Sequence, residues 1–134
     1  MNSPWQTVHV ARGRTEPLTW TLMWKGAPAN LTTLGISTVL FYLMSVDYWL
    51  PDSIDEWTQT IMDLLTLKVD GASCTIVNSS TGDISWAPAT ADLNAQGKYY
   101  YQFRAADSGG KLSPWPEDIS KSKMIVHPSI VPVN

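Results

Sequence analysis

The chain has 134 residues, 44% of them hydrophobic and 16% charged, enough for one domain with a substantial core and unlike the composition of a disordered segment. Its formal net charge is −3 and its pI is near 5.1. Lys and Arg are scattered from Arg12 and Arg14 to Lys121 and Lys123, which excludes the clustered basic footprint of a nucleic-acid-binding protein.

A single cysteine, Cys74, excludes an intrachain disulfide and a thiolate-rich metal centre. Its apolar neighbours predict a buried small side chain. The opening residues, MNSPWQTVHVARGR, lack the apolar run of a signal peptide, and the longest apolar run, Val39 to Met44, is only strand length. Synthesis in a cytoplasm without a signal peptide, and no membrane partner, are the resulting expectations.

In chain order, Thr7 to Arg12 reads as a first strand with Val8 and Val10 on one face. Leu18 to Trp24 alternates: Leu18, Trp20, Leu22 and Trp24 on a core face, Thr19 and Thr21 on the other. Lys25-Gly26 turns the chain and Pro28 to Thr32 connects onward. Ser37 to Ser45 is a strand apolar on both faces, so one face enters a core and the other lies under a further segment or meets another protein.

Asp47-Tyr48-Trp49-Leu50-Pro51 then forms a loop with an aromatic tip. Ser53-Ile54-Asp55-Glu56 has the spacing of a capping box, and Ile54, Trp57, Ile61, Leu64 and Leu65 follow at helical spacing. The pattern predicts one short amphipathic helix over about 54–65, its apolar stripe covering the outer face of the preceding strand. A short strand follows at Cys74 to Val77, then a turn at Ser80 to Asp83 and a strand at Ile84 to Trp86. Asp92 and Gly97 mark a corner before the strongest strand signal, Tyr99 to Arg104. Ser108-Gly109-Gly110 is a hairpin turn, Lys111 to Trp115 a strand interrupted by proline, and Ser122 to His127 the last strand. Short strands between Gly and Pro turns predict an all-β, immunoglobulin-like antiparallel β-sandwich with one inserted helix. The sandwich is expected to span 1–128, with an insertion at about 47–70 and an extended tail at 129–134.

Catalytic chemistry finds little support. The nucleophile elbow, the zinc-protease helix motif and the phosphate- and dinucleotide-binding glycine loops are all absent from the sequence. Asp47, Asp52, Asp55 and Glu56 cluster, but the last two fall in a predicted first helical turn, where negative charge favours the helix dipole. His9 and His127 lie in the first and last strands, which can be neighbours in a sandwich. No third ligand stands at a characteristic spacing, so no metal site, cofactor or catalytic residue is assigned.

Seven tryptophans are the compositional anomaly. Trp20, Trp24 and Trp86 fall on core-facing strand positions. Trp5, Trp49, Trp57 and Trp115 do not, and with Ile130 and Val131 of the tail they are the candidate protein-interface residues.

Three passages carry a resemblance. They are Arg12-Gly13 with Glu16 to Leu22; Gly26 to Thr32 leading to Val39-Leu40-Phe41; and Thr81 to Trp86 with Asp92, Gly97-Lys98-Tyr99, Trp115-Pro116 and Val126-His127-Pro128. Their order resembles the immunoglobulin-like N-terminal domain of tailed-phage upper baseplate proteins and related small virion proteins. The middle, from about Asp47 to Asp70, is longer and more aromatic than that pattern. The resemblance implies a non-enzymatic structural protein of a bacteriophage virion, in the tail, baseplate, neck or capsid surface. Its partners would be other phage structural proteins, and it would form a homo-oligomer or occur in multiple copies in a symmetric assembly. The alternative from the residues themselves is a carbohydrate-binding sandwich that stacks cell-surface glycans on exposed Trp and Tyr.

Overall fold

A computed structural model describes residues 7–46, 66–107, 109–110, 112–115 and 122–128, with 66 and 112–115 described by their backbone alone. The regular elements among these residues are all strands. The larger sheet has the order β1 (Val8–Ala11), β11 (Lys123–His127), β9 (Gly97–Asp107), β5 (Ile36–Val46) and β6 (Thr66–Ser73), with β10 (Leu112–Trp115) also paired to β9. The smaller sheet has the order β2 (Leu18–Thr21), β8 (Asp83–Trp86) and β7 (Thr75–Asn78). A separate hairpin joins β3 (Met23–Trp24) to β4 (Ala27–Pro28). Every pairing is antiparallel except β1 with β11.

The alternation in the sequence explains the two layers. Trp20, Ile84 and Trp86 of the smaller sheet and Val39, Phe41, Leu43, Tyr99, Tyr101 and Phe103 of the larger sheet are buried in one core. Phe41 stacks on Trp86 with ring centroids 4.1 Å apart. Trp20 lies 5.0 Å from Phe103, edge to face, and 5.6 Å from Tyr101. Strand β5 occupies one side of β9 from Lys98 to Asp107. The other side is shared by β11, opposite Gly97 to Tyr100, and β10, opposite Phe103 to Ala106. Thus β10 and β11 fill one strand position in two pieces.

Three junctions fix how the chain passes between layers. Strand β6 pairs with β5, and one residue later β7 pairs with β8, so the chain changes sheets at Cys74. The Cys74 N–H donates to the carbonyl of Val39 at 2.9 Å, holding that crossing against β5. At the corner before β9, Asp92 accepts a hydrogen bond from the Ala89 N–H at 2.8 Å. The Tyr99 hydroxyl donates to the carbonyl of Ala95 at 2.7 Å, which is the tyrosine corner of an immunoglobulin-like domain.

The structure corrects two expectations and adds a strand. Leu18 to Trp24 is two strands, because β2 pairs with β8 only as far as Thr21 opposite Asp83, while Met23 and Trp24 pair instead with Pro28 and Ala27 of the hairpin. Trp24 therefore runs past the sheet and is 49% exposed, not in the core. Thr66 to Ser73 is a strand of the larger sheet, paired with β5, where the sequence pattern suggests none before Cys74. The expected helix over 54–65 lies outside the described residues.

The turn into β8 depends on Gly82. At φ +71°, a Cβ there would stand 2.7 Å from the Leu22 carbonyl and 2.8 Å from that of Ala29. Those backbone groups cannot retreat, since Leu22 N–H donates to the Gly82 carbonyl and Ala29 N–H to the Leu22 carbonyl. Gly26, at φ +81°, has open space around it. Gly82→Ala is expected to cost about 3 kcal/mol or more in chemical denaturation, from backbone strain plus overpacking, and Gly26→Ala only about 1 kcal/mol from strain alone.

Candidate functional site

Of the six residues singled out for partner contact, Trp5, Trp49, Trp57, Ile130 and Val131 lie outside the described residues. Trp115 closes β10, opposite Phe103 in the register. The described surface contributes its own exposed apolar residues, Trp24, Leu67 (46% exposed) and Val77 (57% exposed). The pattern of alternation missed all three. Trp24 is the second residue of a two-residue hairpin arm, and the available signal was the Lys25-Gly26 turn beside it. Both turn residues have positive φ, 51° and 81°, as a tight primed hairpin requires. The Lys25 ammonium sits 5.8 Å from the Trp24 ring centroid.

The outer face of the larger sheet carries a row across three strands. Leu67 pairs with Met44 and Met44 with Tyr100. Met44 and Tyr100 are buried although they sit on the face opposite the shared core. The 47–65 connection leaves the sheet at Val46 and rejoins it at Thr66, beside this row. Beyond it on the same face, Arg104 lies over the Tyr42 ring at 5.1 Å.

The strand edges differ in character. The β5–β6 register shifts twice, and Gly71 in β6 has φ +81°. Strand β7 is irregular between Ile76 and Asn78, at Val77. Bulges of this kind obstruct the addition of a further strand. Strand β1 pairs in continuous register with β11 from Val8 to Ala11, and no strand among the described residues occupies its other side. Because β1 and β11 are parallel, the chain preceding Thr7 joins one end of this edge and the chain following Pro128 joins the other.

On the outer face of the same edge, His9 and His127 meet. His9 is opposite Ile125 and His127 opposite Ala11, so the two are diagonal neighbours. Val8, Val10, Met124 and Val126, at the alternate positions, enter the core. Nδ1 of His9 lies 2.8 Å from Nε2 of His127. The ring planes differ by 17° with centroids 5.1 Å apart. That separation suits nearly coplanar rings joined nitrogen to nitrogen, so one ring donates N–H to the lone pair of the other. The sequence put these residues in the first and last strands, which can be neighbours in a sandwich; it could not show that their nitrogens converge.

The layer order, the sheet change at Cys74 and the tyrosine corner define an immunoglobulin-like β-sandwich. No protein-family model matches the sequence, and no curated protein matches it. Among solved structures, the N-terminal domain of phage TP901-1 ORF48 matches with a TM-score of 0.45 and 15% sequence identity, over 90% of this chain and 82% of that one.

Burial controls the two most shifted ionisable groups. It pushes the Cys74 thiol up to about 12 and the Tyr101 phenol up to about 12. The Trp20 indole N–H near Tyr101 favours the phenolate and offsets a small part of this, while itself falling outside hydrogen-bond geometry. A pKa raised in the folded state adds stability below the unfolded value, and that stability is lost as pH rises through the folded value. Denaturation followed from pH 9 to 12 is expected to show a steep fall in stability, with Tyr101 responsible for on the order of 2 kcal/mol. Tyr101→Phe should flatten that fall without abolishing it, because Cys74 still titrates.

Proposed function

We propose that the protein is a non-enzymatic structural component of a bacteriophage virion that acts by docking onto other virion proteins. The sequence resemblance to the N-terminal domain of upper baseplate proteins supports the virion setting. The observation that carries the docking reading is the β1 edge: a regular strand with one side open among the described residues, flanked at its two ends by the segments that hold Trp5 and Ile130-Val131. An open edge offers backbone N–H and C=O groups to an extended segment of a partner, and neighbouring apolar side chains add buried area. In this reading 129–134 of one copy adds to the edge of a neighbour, while the apolar stripe expected over about 54–65 covers Met44 and Tyr100. Trp49, Trp57 and Trp115 would add contacts to neighbouring proteins.

A second reading, recognition of cell-surface glycans, gains one specific feature from Trp24. Its half-exposed indole stands on the β3–β4 hairpin, an aromatic ring of the kind that stacks on sugars.

Ending the chain after Pro128 is expected to leave the fold intact and to reduce both retention in particles and self-association measured by light scattering. Unchanged retention and oligomeric state would remove the tail from the proposal. For the second reading, titration with cell-wall polysaccharide should change tryptophan fluorescence, and Trp24→Ala should diminish the change. A flat response at roughly millimolar sugar would end that reading.

A further inference from the structure

We propose that His9 and His127 form a two-imidazole chelate for a divalent transition-metal ion of the Cu2+ or Ni2+ kind, which clips the edge strand β1 to β11. The two nitrogens come from strands 118 residues apart in sequence and stand 2.8 Å from each other at the surface. Two imidazole nitrogens in adjacent positions of a square-planar or octahedral ion, each about 2.0 Å from the metal, are separated by about 2.8 Å. A tetrahedral ion needs about 3.3 Å, a difference that rotation of the exposed rings can supply, so the preference for Cu2+ rests on the strength of its bonds to imidazole. Their backbones are fixed by the β1–β11 register, so binding does not require the strands to be brought together. Both side chains are exposed, and rotation about their side-chain bonds, with loss of the bridging proton, turns the hydrogen-bonded nitrogens into two converging lone pairs.

The surroundings bear on which ion enters. Among the described residues no third His, Cys, Asp or Glu completes a cluster, so water fills the remaining positions. Lys98 lies opposite Ile125 in the next strand of the same face, and Lys123 two residues before Ile125. Their positive charge discourages hard cations held by charge alone, such as Mg2+ and Ca2+, and leaves ions that bond strongly to imidazole. The metal replaces the proton shared between the rings, and that proton passes to solvent. Binding is therefore expected to weaken as pH falls.

Isothermal titration of the full chain with Cu2+ and with Ni2+ at neutral pH should give one saturable site, stronger for Cu2+. His9→Gln and His127→Gln should each weaken it at least about tenfold, while Mg2+ gives no binding. Circular dichroism checks that the variants fold. In the unaltered chain, paramagnetic Ni2+ should broaden the imidazole NMR signals of both histidines before other resonances. Absence of saturable binding to the unaltered chain, or equal binding in both variants, would overturn the proposal.

Discussion

The contact between Trp20 and its ring neighbours on the opposite sheet is the interaction on which the two-layer structure depends. In antibody domains a disulfide joins the second and sixth strand positions across the core. Here the corresponding strands are β2 and β9, and the tyrosine corner at Tyr99 places Tyr101 two residues later, where such a domain has its second cysteine. Trp20 faces Tyr101, Phe41 and Phe103. Burying an indole removes about 150–250 Å² from water, worth about 4–6 kcal/mol. The Trp20 N–H is left without a partner, at a cost of about 1–3 kcal/mol. The apolar term wins, so aromatic packing replaces the covalent pin and tolerates one unsatisfied donor.

That packing constrains the chain around it. Phe41 must reach Trp86 while β5 also pairs with β6, and the chain must then leave for the smaller sheet within one residue. The register shifts in β6 and the positive φ of Gly71 accommodate that departure. Cys74 sits at the crossing with its backbone tied to Val39. Its shifted thiol follows from this partly buried placement against the core, where a thiolate loses much of the solvent that would stabilise it.

Much of the framework was legible in the sequence. The core positions Val8, Val10, Trp20, Trp86, Tyr99, Tyr101 and Phe103 follow from alternation, and Asp92 before Gly97 follows from turn chemistry. Trp24 escaped because period-two alternation shows which face a residue takes and says nothing about where the partner strand stops. Strand β6 escaped because Lys68, Asp70 and Gly71 dilute its apolar pattern; its strand character comes from pairing with β5, a tertiary effect. For the histidine pair, the sequence supplied a first and a last strand that can be neighbours, while their adjacency and the diagonal register that brings the nitrogens together belong to the parallel pairing.

That parallel pairing also bears on which edge can serve assembly. Strand β1 belongs to the larger sheet and β2 to the smaller, so the chain changes layers between them, with Gly13 N–H donating to the Leu93 carbonyl at the corner. Since β1 then follows β11 and not its sequence neighbour β2, chain segments adjoin both ends of a single edge. The edges at β6 and β7 carry bulges, and bulges misalign the donors and acceptors that an added strand must meet. At β1 the regular register keeps them aligned. An incoming strand there would extend the sheet that holds Phe41, Tyr101 and Phe103, so the aromatic core that replaces the disulfide would also be the rigid backing for the docked strand.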